Sequence, residues 1–133
     1  MTNPVTQAGL NDELLSAAKS GDVTEVSRLL AEGADINARG KDDETPLHAA
    51  VEEEREEIAE LLISKGADVN AMADDGSTPL HWVKSKDVAK LLIANGADVN
   101  ATDEKGKTPL YHALGSNLNR GTLAAMLRQH GGK

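Results

Sequence analysis

Four histidines and twenty-two carboxylates are the residues of this chain whose chemistry could support a metal site or acid–base catalysis. The most regular are His48 and His81, each of which follows a threonine by three residues. If the two imidazoles lie on neighbouring helices, they stand about 10 Å apart, whereas metal ligands stand about 2 Å from the ion. Hydrogen bonding to the threonine hydroxyl and nearby backbone fits this spacing better. We therefore predict a structural role for both histidines and no metal site.

The carboxylates concentrate in the segment EEEREE at residues 52–57. Acid–base catalysis by two carboxylates requires two environments that separate their pKa values, and a run of exposed glutamates offers only one. The chain also lacks cysteine, a glycine-rich phosphate loop and the nucleophile elbow of a serine hydrolase. We therefore predict a protein that is not an enzyme, with no catalytic residues and no cofactor. Two interpretations of the acidic run stay open: a solvated surface and a docking face for a basic partner.

The chain repeats one long motif, and this repeat defines the elements that position these residues. Residues 61–71 read LLISKGADVNA, residues 91–101 read LLIANGADVNA, and residues 29–38 carry the looser copy LLAEGADINA. Thr-Pro-Leu begins at residues 45, 78 and 108, with separations of 33 and 30 residues. A period near 33 residues that carries Thr-Pro-Leu-His is typical of ankyrin repeats. Over about residues 12–131 the chain strongly resembles the ankyrin repeat family.

The resemblance implies an all-α repeat solenoid, an ankyrin-type stack of four helix-turn-helix units linked by β-hairpin-like loops. The predicted units span residues 12–41, 42–74, 75–104 and 105–133, and residues 1–11 are predicted to form a flexible tail. Within a unit, the threonine caps the first helix and the proline occupies its first position. With one Trp, one Tyr and no Phe, the core must consist of small aliphatic side chains.

Three departures from the family pattern predict local differences between the units. Asp43 and Glu54 stand where the family usually has glycine, so both positions are expected to have a positive φ. Unit three is three residues shorter than unit two in the interval that runs from Leu80 to Leu91, so its first helix or its turn must be truncated. Residues 115–121, GSNLNRG, are expected to form an expanded loop in unit four.

An asparagine recurs in the Asp-Val-Asn or Asp-Ile-Asn segment of the first three units, at Asn37, Asn70 and Asn100. Their side-chain amides are predicted to bond the backbone of the loop, which is a common role of asparagine in turns. Asparagines at this position are hydroxylated in some members of the ankyrin family, a modification that the sequence gives no particular reason to expect here.

Charge is distributed unevenly along the chain, whose formal net charge is −8. Residues 42–74 contain eleven acidic and two basic residues, while residues 105–133 contain five basic and no acidic ones. An acidic protein does not bind nucleic acid by releasing counterions. The N-terminal segment lacks the apolar stretch of a signal peptide, and no apolar run approaches the roughly 18 residues of a membrane helix. We therefore predict a cytoplasmic monomer without nucleic-acid or membrane partners.

Proteins of the family that this chain resembles bind other proteins through a concave surface formed by hairpin tips and inner helices. The resemblance implies a non-catalytic protein–protein interaction module, and the acidic charge predicts a partner with a basic surface. The alternative is a dedicated stoichiometric inhibitor or regulator that closes the basic active-site cleft of a partner enzyme. The family's contact positions correspond to Asp42, Glu44, Asp75, Ser77, Lys105 and Lys107 in the loops and to Ala49, Glu52, Glu53, Trp82 and His112 on the inner helices.

Trp82 is the only tryptophan of the chain, and two interpretations of its role stay open. It occupies the position after the motif histidine, where unit two has Ala49 and unit four has His112. A buried position would hardly accept Ala, Trp and His in turn, which favours exposure, and Trp is enriched at binding hot spots. In the competing interpretation, the ring folds over the gap left by the missing residues and replaces lost helix packing.

Overall fold

A computed structural model describes residues 6–115 and 120–133 of the chain. Within these residues there are seven α-helices and two short 3-10 segments, and no strand is assigned. The α-helices are α1 (Gln7–Ser20), α2 (Val23–Ala31), α3 (Pro46–Glu52), α4 (Glu56–Ser64), α5 (Lys86–Ala94), α6 (Pro109–Gly115) and α7 (Arg120–Gln129). The 3-10 segments are Lys41–Asp43 and Pro79–Trp82.

The helices form two layers. In the inner layer α1, α3, the 3-10 segment Pro79–Trp82 and α6 follow one another, each packed against the next. In the outer layer α2, α4, α5 and α7 follow one another in the same way. Each unit therefore packs against its neighbours along the chain, which is the arrangement of a repeat solenoid. The predicted all-α stack is confirmed, and in the described residues its links are turns without a strand ladder.

The core between the layers consists of aliphatic side chains, as the composition predicts. Its largest fully buried hydrophobic members are Leu14, Leu29, Leu47, Ile58, Leu62, Leu80, Leu92, Leu123 and Leu127. Alanines such as Ala50 and Ala89 are buried beside them, and their small side chains let the helices lie close together. Because burying one leucine side chain contributes about 2 kcal/mol, this interior is the main stabilising feature of the fold.

The Thr-Pro-Leu-His motif starts the inner-layer elements of units two and three in a similar way. Thr45 is extended, and its hydroxyl oxygen accepts a hydrogen bond from the His48 N–H at 3.3 Å. The Nδ1 atom of His48 in turn accepts from the Thr45 N–H, so each residue satisfies a backbone group that the helix start leaves unpaired. His81 Nδ1 likewise accepts from the Thr78 N–H at 3.0 Å. The predicted pairing of threonine and histidine is confirmed in both units.

The first helix of unit three is reduced to a single 3-10 turn. Pro79–Trp82 replaces the seven residues of α3, and Val83 is already extended, with φ −63° and ψ 142°. Ser85 then caps α5, because its hydroxyl oxygen accepts from the Val88 N–H at 3.2 Å. The predicted truncation is confirmed, and the missing residues are lost from the first helix. Val83 still reaches the core, since only 9% of its surface is exposed.

The two positions where the family usually has glycine adopt the backbone conformation that glycine favours. Asp43 and Glu54 both have a φ of 58°, so the predicted positive φ is confirmed at each. Asp42, for which no such conformation was predicted, also has a positive φ, of 57°. In the loops of the next two units, Gly76 and Gly106 occupy the position of Asp43 with φ values of 80° and 75°. The positive φ at this one position is therefore kept although the residue type changes, whereas that of Asp42 is not repeated at Asp75 or Lys105.

The first helix begins earlier than the sequence analysis expects. α1 starts at Gln7, so a flexible tail over residues 1–11 is wrong for its last five residues. The cause is a local cap, because the Thr6 hydroxyl oxygen accepts from the Gly9 N–H at 2.9 Å. Leu10, in the segment that lacks a regular apolar pattern, is buried in the core.

Two further sequence-based expectations fall partly beyond the described ranges. Residues 1–5 of the predicted tail lie outside the described residues. So do residues 116–119, which make up most of the expanded loop expected at residues 115–121. On either side of that gap, Gly115 is the last residue of α6 and Arg120 is the first of α7.

The recurring asparagines connect successive units. Asn37 Oδ1 accepts from the Asp68 N–H at 2.9 Å, and Asn70 Oδ1 accepts from the Asp98 N–H at 2.8 Å. In both cases the donor belongs to the following unit, and Asn100 makes the equivalent bond to the C-terminal residue. The prediction that these amides bond loop backbone is confirmed, but the loop lies one unit further along the chain.

Candidate partner-binding surface

Three tight loops carry most of the predicted contact residues and are stacked in a row. They are loop A (residues 40–44), loop B (residues 73–77) and loop C (residues 103–107), each closed by a backbone hydrogen bond of 2.8–2.9 Å between its first and last residues. The Asp74 N–H donates to the Asp42 carbonyl at 3.0 Å, and the Glu104 N–H donates to the Asp75 carbonyl at 2.9 Å. A Cβ at Gly76 would stand 2.9 Å from the Glu104 nitrogen, so this close approach requires glycine. The loop tips are thus held together as one continuous edge.

His48 and His81 fix these loops to the inner layer. The Nε2–H of His48 donates to the Ser77 carbonyl at 2.8 Å, and that of His81 donates to the Lys107 carbonyl at 2.9 Å. Burial lowers the pKa of His48, which keeps its ring neutral with the proton on Nε2, since Nδ1 accepts from Thr45. The predicted structural role is confirmed. Each histidine in addition joins its own unit to the loop that begins the next.

On the edge formed by the loops and the inner layer, two cavities lie between successive loops. The first, which we call the Trp82 cavity, has a volume of about 300 Å³. Its lining residues are Lys19, Lys41, Asp42, Glu44, Glu52, Asp74, Asp75 and Trp82. Five of the predicted contact residues are thus brought together from two units. Because five carboxylates face two ammonium groups, the cavity carries a net negative charge.

Only part of this negative charge is paired within the chain. Lys19 Nζ lies 3.6 Å from Glu44 Oε1, and the Glu44 side chain is 12% exposed. In the part of the chain that the structure describes, Asp42, Glu52 and Asp74 have no cationic group within 4 Å. The surface of the Trp82 cavity therefore has carboxylates available to a cation from outside.

Trp82 is half-buried and belongs to both the core and the cavity. Its ring meets the His48 ring edge to face, with centroids 4.7 Å apart and planes inclined by 62°. Aromatic pairs of this geometry contribute about 0.5–1.5 kcal/mol beyond the burial of area. Trp82 is also one of the residues that line the Trp82 cavity. Trp82 thus combines features of both interpretations, since it packs where helix has been lost and also presents aromatic surface.

The second cavity, which we call the His112 cavity, has a volume of about 510 Å³ and lies between loops B and C. Its lining residues are Asp75, Asp103, Glu104, Lys105, Lys107, Tyr111 and His112. His112 Nε2 lies 3.0 Å from Asp103 Oδ2, and Lys107 Nζ stands 4.2 Å from the centroid of the Tyr111 ring. Asp103 and Lys107 therefore have partners inside this cavity, whose three carboxylates face two ammonium groups, and Asp75 lines both cavities.

Asp103 organises loop C and holds the His112 ring. Its Oδ1 atom accepts from the N–H groups of Lys105 and Lys107, each at 2.9 Å. Burial acts to raise the pKa of Asp103, but the Lys107 N–H, the His112 imidazole and the Lys105 N–H lower it to about 2. The carboxylate is therefore ionised throughout the neutral and mildly acidic range.

Three predicted contact residues line neither cavity. Ala49 and Ser77 are buried, with 0% and 2% of their surface exposed. Ala49 lies in the core, and Ser77 is held in place because its carbonyl accepts from His48. Glu53 is exposed at the C-terminal cap of α3. Placing Ala49 and Ser77 on an accessible surface by family analogy is wrong for the free chain, because both are covered by neighbouring units.

Sequence reasoning missed several residues of the two cavities: Lys19, Lys41, Asp74, Asp103, Glu104 and Tyr111. Lys41, Asp74 and Glu104 occupy the same position in the three loops, so the alignment of the loops could have identified them. Lys19 lies in α1 and no repeated motif marks it, because its place in the cavity depends on the packing of α1 against α3.

The acidic run at residues 52–57 is divided between the two layers. Glu52 ends α3 in the inner layer and lines the Trp82 cavity. Glu56 and Glu57 begin α4 in the outer layer and are exposed. Of the glutamates in this run, Glu52 is the one that lines the Trp82 cavity.

Across residues 6–115 and 120–133, no three His, Cys, Asp or Glu side chains are grouped so as to hold a metal ion. Over the same ranges, every helix is too short or too polar to cross a membrane.

Comparison with known proteins agrees with this architecture. The family model described as ankyrin repeats (3 copies) matches residues 6–73 and 71–132. A search of curated proteins finds no match to the chain. The two matched segments span both layers and all three loops, together with the threonine–histidine pairs that start units two and three. The chain therefore belongs to the ankyrin repeat family.

Proposed function

We propose that this protein is a non-catalytic protein–protein interaction module, whose partner binds the edge formed by loops A to C and the inner layer. Ankyrin repeats generally mediate protein–protein interactions. The observation that carries the proposal is the row of loops, in which backbone and histidine hydrogen bonds hold the tips while Asp42, Asp75 and Lys105 remain exposed. A surface that is already ordered loses little conformational freedom on binding, which favours affinity.

The charge of the Trp82 cavity supports a partner with a basic surface. Its five carboxylates outnumber its two ammonium groups, whereas the His112 cavity has three carboxylates and two ammonium groups. Complementary charge raises the rate of association more than it raises affinity. We expect the partner to approach with its basic surface toward loops A and B.

Affinity capture on the immobilised chain, followed by mass spectrometry, provides the partner for a kinetic test. Glu52→Gln should lower the association rate constant about threefold at low salt, and raising the salt concentration should reduce the difference. Glu60→Gln is the matched control, because Glu60 is exposed on α4 in the outer layer. Equal association rates for the wild type and both variants would contradict the proposed surface.

The net negative cavity also favours a second candidate function, that of a dedicated stoichiometric inhibitor or regulator of an enzyme with a basic active-site cleft. An inhibitor must cover the cleft, so the activity of the captured enzyme should fall until one equivalent of the chain has been added. An adaptor should leave that activity unchanged. The same titration therefore separates the two functions.

The proposal takes the chain to act as a monomer in the cytoplasm. Sedimentation equilibrium should then give a single species of 14.0 kDa. Fractionation of the source cells tests the location. A mass that rises with protein concentration would show that the chain self-associates and would contradict the proposed monomer.

A further inference from the structure

We infer that the Trp82 cavity receives an arginine side chain of the partner protein, with the guanidinium against the indole ring and paired with the surrounding carboxylates. This inference rests on the proposed function, because it names the group that the partner presents to one part of the surface. It is carried by the contents of the cavity, by their charge balance and by the contrast with the neighbouring cavity.

The Trp82 cavity contains two cationic side chains that the chain itself supplies. Lys19 is drawn toward Glu44, and its side chain is 51% exposed. Lys41 lines the rim of the cavity and is exposed at the tip of loop A. Among the described residues, neither lysine lies over the Trp82 ring. The aromatic surface and the carboxylates of Asp42, Glu52 and Asp74 therefore remain available together.

The His112 cavity, on the same edge, differs from the Trp82 cavity in the position of its cations. There one of the chain's own cations covers the aromatic ring, since Lys107 lies over the Tyr111 ring at 4.2 Å. His112, at the position of Trp82 in unit four, pairs with Asp103 at 3.0 Å. Both cavities thus combine an aromatic ring, carboxylates and lysines, but among the described residues only the His112 cavity has a lysine over its ring. A partner cation would complete the Trp82 cavity.

Among the cationic side chains of proteins, arginine fits the Trp82 cavity better than lysine. A guanidinium is planar, stacks on aromatic rings and forms paired hydrogen bonds with carboxylates, whereas an ammonium is a compact and strongly hydrated charge. Tryptophan is the aromatic side chain with the strongest attraction for a cation over its face. The Trp82 cavity offers an indole ring and carboxylates from loop A, loop B and α3. That combination fits a flat group with several donors.

The experiment uses the full chain and its single tryptophan as the reporter. The probe is an acetylated and amidated ten-residue peptide of alternating glycine and arginine. Two matched peptides carry citrulline, which keeps the shape of arginine without its charge, or lysine. We expect the arginine peptide to change the Trp82 emission in a saturable way. The citrulline peptide should give no change, and the lysine peptide should bind at least about threefold more weakly.

Variants locate the binding, measured by the anisotropy of a labelled arginine peptide. Trp82→Leu should lower affinity about tenfold, and Glu52→Gln should lower it about threefold. Glu104→Gln removes the same charge from the His112 cavity and should stay within about twofold of the wild type. Because Trp82 also touches the core, circular dichroism checks the fold, and Glu52→Gln keeps the test valid if Trp82→Leu unfolds.

Several results would overturn the inference. They are equal binding of the citrulline peptide, equal binding of the lysine peptide, or arginine binding that ignores Glu52 and Trp82. If one of these results is found and a captured partner still loses affinity with Lys105→Ala, a residue outside the Trp82 cavity, the proposed function stands and the arginine assignment alone is wrong. If the chain captures no partner at all, the proposed function is wrong even when the arginine peptide binds as expected.

Discussion

Units two and three begin with the same four residues, Thr-Pro-Leu-His, yet build different elements from them. In unit two the motif opens the seven-residue helix α3, while in unit three it gives only the 3-10 turn Pro79–Trp82. Both histidines nevertheless reach the carbonyl of the next loop, at 2.8 and 2.9 Å. The motif therefore determines the junction between units, and the residues that follow it determine how much helix is built on that junction.

The position that follows the motif histidine also differs between units two and three. In unit two the residue after the histidine, Ala49, is fully buried in the core. In unit three the equivalent residue ends the 3-10 turn, packs its ring on His48 and lines a cavity of about 300 Å³. The equivalent position therefore belongs to the core in unit two and serves both packing and surface in unit three. If the two junctions are equivalent, substitutions at His48 and His81 should have similar effects on stability, and the units should differ at Trp82 and at the turn after α3.

The largest expected effect comes from removing either junction histidine. His48→Ala or His81→Ala should lower the free energy of unfolding by about 3 kcal/mol, because buried partners lose their hydrogen bonds and a cavity remains. Urea unfolding measures the loss. His130→Ala is the control, since His130 is exposed beyond α7. If His81→Ala costs much less than His48→Ala, the two junctions are not equivalent.

Trp82→Ala should lower the free energy of unfolding by about 2 kcal/mol, below the 3–5 kcal/mol of a fully buried tryptophan, because the residue is only half-buried. Thermal unfolding followed by circular dichroism measures the change. Met72→Ala provides a comparison at a hydrophobic residue that is 59% exposed, where a change within about 0.5 kcal/mol is expected. A loss above about 4 kcal/mol would show that Trp82 chiefly replaces the missing helix.

Acid should weaken the junction between units two and three through His48. Burial lowers the pKa of His48 in the folded chain. Below a pH of about 6.5, His48 is therefore protonated in the unfolded chain while it is still neutral in the folded chain. Stability is therefore complete above that pH and falls, by at most about 1.4 kcal/mol per pH unit, until the folded pKa is reached. Urea midpoints between pH 7.5 and pH 5 measure the slope.

The same pH range separates the contribution of His48 from that of Asp103. The pKa of Asp103 is lowered to about 2, so its contribution is present above the ordinary pKa of aspartate and is lost only as the pH falls toward about 2. A His48→Gln variant should therefore have a flatter profile above pH 5. An unchanged slope in that variant would show that His48 is not the source.

The smallest expected effect concerns the turn at Glu53 and Glu54, which follows α3 in unit two and has no counterpart in unit three. Glu54 has a φ of 58°, which costs a residue with a side chain about 1 kcal/mol, so Glu54→Gly should raise the free energy of unfolding by about 0.5 kcal/mol. The neighbouring Glu53 has an ordinary φ of −90°, and Glu53→Gly should instead be destabilising by about 0.5–1 kcal/mol. Effects of the same sign at both positions would contradict this account.

Much of the fold could be predicted because its determinants are local. A threonine cap, a proline at the first helical position and a glycine-like φ at Asp43 and Glu54 involve atoms a few residues apart, so a repeated motif reveals them. The truncation of unit three follows from counting residues between Leu80 and Leu91. By contrast, the start of α1 was missed, because Thr6 caps it outside the repeat and Leu10 is buried by other elements.

The binding surface could be predicted only in part. Asp42, Glu44, Glu52, Asp75 and Trp82 do line one cavity, because the alignment of units places them on the same edge. Ala49 and Ser77 were expected there and are buried, since exposure depends on what the neighbouring unit covers. Lys19 was not expected, because its approach to Glu44 follows from the packing of α1 on α3.

The sequence by itself determined the four-unit repeat, the caps, the turns and the residue types available at each loop tip. Only the tertiary structure decided the partners of Asn37 and Asn70, the loops that His48 and His81 hold, and which contact residues stay accessible. The physical reason is distance along the chain. One hydrogen-bonding group is visible within its own unit, but its partner lies in the next unit, some 30 residues away, and only the stacking of the units brings the two together.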